Sequence, residues 1–340
     1  MTKTSALEVL APIWQRVLEL PSIPVNASFF DLGGNLSSAT RLFAEIGEAT
    51  GHDLSPVLIY VAPTIETLAA VLEQPGPPRI PPLLLLKAGT EPLPVFIAHG
   101  IGGTVFGFVD LLQKIRFPHA IYGMEASGID GVSEPLTSIE TMAELYLDAI
   151  KQLQPHGPYF LIGYSLGGLV TLEIAQRLLA AGEKVGLLAM VETYPEKRHL
   201  ARTQSWLLSF RIARRRAWSF VESVASGTRS HTSGAVGGNL AHRTPPEISA
   251  DRVRRRIVEA EYLAWKNYCP RFYPGTIKFV RAGTSTHFPN DAAAVWLQLA
   301  AKLEVETIPG DHLGILETNF EKLASVLTRY MREADTGGVW

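Results

Sequence analysis

Apolar side chains Leu10, Ile13, Trp14, Val17 and Leu18 recur at three- and four-residue spacing, with Glu8, Gln15, Arg16 and Glu19 between them. That spacing predicts one amphipathic helix with a single buried face. A loop with Pro21, Pro24 and Asn26 leads to FFDLGG and a second helical pattern, SATRLFAEIGEATG, which Gly51 is placed to end. A third, PTIETLAAVLEQ, starts from a Thr64 cap. These segments predict a small all-α bundle over residues 1–76.

The proline-dense stretch that follows fits neither periodicity. Prolines favour extended, semi-rigid chain, so 77–92 reads as a linker in which Leu83 to Leu86 can begin a strand. Beyond it, short apolar runs alternate with amphipathic helices. PVFIAHG, AIYGMEA, PYFLIGY, KVGLLAMVE, TIKFVRAG and LEVETIPG read as strands; TMAELYLDAIKQLQ, LVTLEIAQRLLAAG and FEKLASVLTRYMREA read as helices. Such alternation predicts an α/β unit over 93–337 with a mostly parallel, doubly wound sheet. The rhythm breaks over 196–256, which holds RIARRRAW, a Gly/Ser/Thr-rich stretch and RVRRR. This region reads either as a lid inserted over the active site or as helices whose basic runs face solvent.

Composition adds limits. A length of 340 residues fits two domains, and 46% hydrophobic with 19% charged residues is ordinary for a globular chain. The net charge of −2 gives no reason to expect nucleic acid or an anionic membrane as partner. A single cysteine, Cys269, leaves no internal disulfide framework and fits a reducing, cytosolic compartment. The first 20 residues lack the uninterrupted apolar core of a secretory signal, and LLLL at 83–86 is far too short to span a bilayer. No metal is implied.

The chemistry gathers in four places. Gly163-Tyr164-Ser165-Leu166-Gly167 fits G-x-S-x-G between an apolar strand and a helix. In that setting the serine sits on a strained turn that exposes Oγ, and the helix offers free N–H groups. His312, between the last strand and the last helix, is the candidate base, because imidazole can take and return a proton near neutrality. The acid in this chain order falls between nucleophile and histidine: Glu192 at the end of LLAMVE, with Asp291 as the rival. An oxyanion hole needs two backbone donors, for which Leu166 and Ile101, in HGIGG, are the candidates.

With these pieces in hand, 93–337 resembles the type I thioesterase domains that terminate non-ribosomal peptide and polyketide synthases, through HGIGG, GYSLGG, ETYP and GDH. The first 75 residues resemble a peptidyl carrier domain, through FFDLGG, ATRL and APTIETLA. The resemblance implies an α/β-hydrolase fold behind a carrier-like bundle, with Ser165, Glu192 and His312 as the triad; the family usually has aspartate where this chain has Glu192. It implies 4′-phosphopantetheine on a serine two residues after the second glycine of DLGG. That position is Leu36, which has no hydroxyl; Ser37 follows it and is expected to face the bundle core. It also implies partners: upstream synthetase modules or an adenylation protein to deliver the acyl thioester, and a phosphopantetheinyl transferase if the carrier works. The expected activity is chain release by hydrolysis or cyclisation. An esterase for free acyl esters or acyl-CoA and a non-catalytic docking scaffold are the alternatives.

Overall fold

The computed structural model describes residues 3–52, 54–76, 78–196, 250–284 and 291–336. The N-terminal helices are α1 (Lys3–Leu18), α2 (Leu36–Thr50), α3 (Leu58–Val61) and α4 (Ile65–Glu73). The apolar stripe of α1 turns inward, so Leu10, Ile13, Trp14 and Val17 share a core with Leu42 and Ile46 of α2 and Leu68 of α4. Reciprocal caps fix where α2 and α4 begin. Asn35 Oδ1 accepts the Ser38 N–H while Ser38 Oγ accepts the Asn35 N–H, and Thr64 and Thr67 repeat the pair. Each such cap contributes about 1 kcal/mol. Gly51 ends α2 in the left-handed conformation, at φ 76°.

The remaining chain forms one seven-stranded sheet from β1 (Leu83–Lys87), β2 (Glu91–Ala98), β3 (His119–Met124), β4 (Tyr159–Tyr164), β5 (Val185–Val191), β6 (Tyr273–Ala282) and β7 (Ala300–Ile308). Their order is β1-β3-β2-β4-β5-β6-β7. Only β1 runs antiparallel to its neighbour. Around the sheet lie α5 (Val109–Lys114), α6 (Ile139–Leu153), α7 (Leu166–Ala180), α8 (Ala250–Asn267), α9 (Ala292–Trp296), α10 (Gly314–Glu317) and α11 (Phe320–Thr336). The period-two alternation of each strand sorts the core into two layers. On β4, Tyr159 and Leu161 pack with residues of α6, α7 and α9, whereas Phe160 and Ile162 pack with residues of α5 and α11. Both faces are therefore covered, which is why all six residues of β4 are buried and read as an unbroken apolar run.

Two segments gain detail beyond the sequence reading. In the proline-dense stretch 77–92, the strand that begins at Leu83 is β1, and it pairs with β3. The region 197–249 lies outside the described residues, but 250–256 belongs to α8, an 18-residue helix. Ile257, Ala260, Glu261 and Ala264 bury one face of α8 while Arg252, Arg254 and Arg255 are exposed on the other. The basic run thus leads into a single amphipathic helix. Bundle and sheet also exchange side chains: Val57 packs in the sheet's core beside Leu84, while Phe106 and Val109 pack in the core of the bundle.

Candidate active site

Strand β4 delivers Ser165 to the carboxyl edge of the sheet, and α7 starts at the next residue. Ser165 has φ 54°, a region that non-glycine residues rarely adopt, and its N–H donates to Val191 O at 2.8 Å. The neighbours must be small for this turn to close. A Cβ on Gly163 would lie 2.3 Å from Gly167 O, one on Gly167 would lie 2.3 Å from His99 O, and one on Gly168 would lie 2.0 Å from Thr193 Oγ1. Leu166 opens the first turn of α7, where helical geometry gives its N–H no acceptor.

Glu192 follows β5 directly, also at positive φ (49°), and is buried. Its Oε1 accepts the Ala282 N–H at 2.6 Å, and Oε2 lies 3.4 Å from His312 Nδ1. Asp291 is engaged differently: its carboxylate caps α9 by accepting the Ala294 N–H at 3.1 Å. Of the two acids named from sequence, Glu192 is the one whose carboxylate meets His312. Tyr164, the variable residue before the serine, escaped the sequence reading. Its ring stacks on the His312 imidazole at 5.1 Å, and its hydroxyl donates to His312 O at 2.7 Å. Burial, reinforced by the charge of Glu192, pushes that hydroxyl's pKa far up, so it stays a donor. The G-x-S-x-G pattern offered no signal for this role, because its second position is unspecified.

The loop after β2 turns tightly: the Gly103 N–H donates to Gly100 O, with Gly102 at φ 115° and Gly103 at φ 76°. Ile101 is exposed at the turn's tip. His99, just before it, is fully buried, which lowers its pKa to about 4 and keeps it neutral. As the Nδ1–H tautomer it donates to Gly100 O at 2.9 Å and receives the Tyr146 hydroxyl on Nε2 at 2.9 Å. A cavity of ≈ 850 Å³ opens beside this turn. Gly100, Ile101, Phe108 and Tyr164 line it from the sheet side, and Leu54, Val57 and Leu72 line it from the bundle.

In the bundle, Leu36 is half-buried and packs against the core, while Ser37 is exposed. The expectation that Ser37 faces the core is therefore corrected. The inward positions on α2 are Ala39, Leu42, Phe43 and Ile46, and Ser37 lies off that stripe. Ser38 Oγ is engaged in the cap with Asn35.

Comparison with known proteins places these features in a family. The thioesterase domain model matches residues 93–330, and the phosphopantetheine attachment site model matches residues 8–72. A dimodular nonribosomal peptide synthase of Bacillus subtilis (strain 168) is 37% identical over 194 residues, covering 57% of this chain and 8% of that protein. Malpibaldin synthetase of Mortierella alpina is 30% identical over 276 residues, covering 80% of this chain and 5% of the synthetase. The chain thus spans less than a tenth of either relative. Among solved structures, a four-domain nonribosomal peptide synthetase aligns with 95% of this chain and 26% of its own at TM-score 0.58 and 22% identity. The type II thioesterase BorB aligns with 73% of this chain and 96% of its own at TM-score 0.53 and 14% identity, a likeness of fold alone. Among the described residues no helix is long and apolar enough to cross a membrane. With its sheet, elbow and family match in agreement, the chain belongs to the thioesterase domain family, preceded by a helical unit of the phosphopantetheine-attachment type.

Proposed function

We propose that this chain is a chain-releasing thioesterase that takes an acyl or peptidyl group from a phosphopantetheine thioester onto Ser165 and releases it by hydrolysis or cyclisation. The observation that carries the reading is the buried Glu192 carboxylate at 3.4 Å from His312, on the loop that Tyr164 ties to the elbow. Ser165 Oγ attacks the thioester carbonyl carbon as His312 takes its proton, and Glu192 steadies the imidazolium. The Ile101 and Leu166 N–H groups receive the oxyanion. The carbon–sulfur bond then breaks, His312 returns the proton to the leaving thiolate, and an acyl ester remains on Ser165. Water, or an amine or hydroxyl of the chain itself, resolves that ester by the reverse proton path. The apolar walls of the cavity beside Ile101 suit the acyl chain.

The bundle's own residues do not fit a resident phosphopantetheine at the family's position, because Leu36 has no oxygen to attack the phosphate of coenzyme A. No step above runs through the bundle. The thioester comes instead on the carrier of an upstream synthetase module. A fluorophosphonate probe tests the reading: wild type should be labelled on Ser165, and Ser165→Ala should lose both the label and thioester turnover, by on the order of 10⁴-fold or more. Equal labelling of the two proteins would leave a docking scaffold as the better description.

A further inference from the structure

The oxyanion turn is held from outside its own strand. The Gly102 N–H donates to Glu261 Oε2 at 2.7 Å, across 159 positions of sequence. Glu261 Oε1 lies 3.4 Å from His99 Nδ1, at the other end of the same turn. The Glu261 side chain is almost wholly buried. It reaches the turn because Gly103 has no side chain: a Cβ there would lie 2.6 Å from Ile257 Cγ2 and 3.1 Å from Glu261 Oε1. Helix α8 thus presses directly against the glycines that shape the turn.

We propose that Glu261 is a positioning residue for the oxyanion hole: by occupying the Gly102 N–H from a buried position beside His99, it fixes the turn so that the Ile101 N–H faces the reacting carbonyl. The inference rests on the function proposed above. Glycine at 102 gives the backbone freedom to reorient, and a buried N–H without an acceptor is costly, so an acceptor at this point selects one peptide orientation. A placement error of an ångström at such a donor is enough to cost on the order of 10²-fold in rate.

The state of the carboxyl matters as well as its position. Burial pushes Glu261 up to about 8, against the Gly102 hydrogen bond and with help from Glu125. The titratable groups facing it are His99 from the end of β2, Glu125 from the residue after β3, and Tyr146 from α6. His99 stays neutral, and burial holds Tyr146 well above its ordinary value. Glu125 is fully buried and is likewise raised to about 8. At neutral pH Glu261 is thus an uncharged acceptor; above its pKa it becomes an anion one residue from a site that must welcome negative charge.

The rate of Ser165 labelling by a fluorophosphonate probe reads this directly, because phosphonylation expels fluoride and loads the same hole without a known substrate. Wild type should slow about tenfold between pH 7 and pH 9 as Glu261 ionises, following the apparent value of about 8. Glu261→Gln keeps an amide oxygen for Gly102 and has no proton to lose, so it should label within about threefold of wild type at pH 7 and lose the alkaline fall. Glu261→Leu removes the acceptor and should label on the order of 10²-fold more slowly. Glu125→Gln should keep the alkaline fall. Identical pH profiles for wild type and Glu261→Gln overturn the proposal, as does disappearance of the fall in Glu125→Gln alone. If Glu261→Leu does not fold, the Glu261→Gln profile still decides. Ser165→Ala separates the two readings: a label that survives it sinks the thioesterase assignment, whereas a lost label with indifferent Glu261 variants sinks only this one.

Discussion

The elbow before α7 and the turn before α2 are built on similar lines. Both place glycines just ahead of or within the first turn of a helix, and both leave no room for a side chain at one of them: Gly167 against His99 O, Gly34 against the Phe29 ring. They differ in what the backbone carries. At the elbow, Ser165 sits at a strained φ of 54° with the His312 loop tied to its neighbour Tyr164. At the bundle turn the glycine geometry is intact, yet the residue at the family's acceptor position is Leu36. A turn can therefore hold this shape without a reactive group at the family's position. The first is dictated by backbone sterics, the second by one side chain.

The comparison can be broken most sharply at the acceptor. Wild type, incubated with coenzyme A and a broad-specificity phosphopantetheinyl transferase, should show no adduct by intact mass. The exchange of Leu36→Ser with Ser37→Leu should be loaded on residue 36. An adduct mapped to Ser37 in the wild type would show that its exposed hydroxyl substitutes for the missing one.

Next in size is the acid of the proposed triad. Glu192→Gln keeps the shape but not the charge facing His312, and thioester turnover should fall on the order of 10³-fold or more. Asp291→Asn should leave turnover within about twofold, since that carboxylate serves the start of α9. Comparable losses in both variants would undo the distinction between them.

The glycines supply a stability test. Gly167→Ala drives a Cβ against two backbone carbonyls, His99 O at 2.3 Å and Ala98 O at 2.5 Å, which have little room to yield. It should destabilise the protein by about 3 kcal/mol or more, read from urea midpoints. Gly34→Ala should lower bundle stability while leaving Ser165 labelling intact.

The smallest effect is a pH slope. Glu125 titrates at about 8 in the folded chain against 4.5 ordinarily, so from pH 4.5 to 8 the folded state holds a proton that the unfolded state has lost. Stability contributed by this group falls as pH rises through that window and is level above it. His99 acts oppositely, losing stability as pH falls from 6.5 toward 4. Between pH 6.5 and 8 both raised carboxyls, Glu125 and Glu261, contribute, so Glu125→Gln should shrink the drop in urea midpoint across that interval without abolishing it. An unaltered drop would show that burial there is not what the slope reports.

Much of this was legible in the chain, and the exceptions have causes. The apolar run of β4 and the glycines after it announce a buried strand and a tight turn, because both follow from local sterics. Glu261 was not legible. Within RVRRRIVEAEYLAW it reads as one more charge on a solvated helix, and its partner Gly102 is 159 residues away. Ser37 reads as inward because it lies about 100° around the helix from Leu36, whereas the buried stripe of α2 begins only at Ala39. The strand β1 is legible only as the run Leu83 to Leu86 inside a linker, because the prolines around it, which an edge strand tolerates nearby, mask its extent.

That edge strand has a practical consequence for anyone who recombines such units. Proline content alone suggests cutting the chain anywhere in 77–92. A cut beyond Lys87 would discard Leu83–Lys87, unpair the outer edge of β3 and uncover the core position that Leu84 fills. The excision point that keeps the sheet whole lies before Leu83, and even there the transplanted piece would carry Phe106 and Val109 without the bundle residues that shelter them.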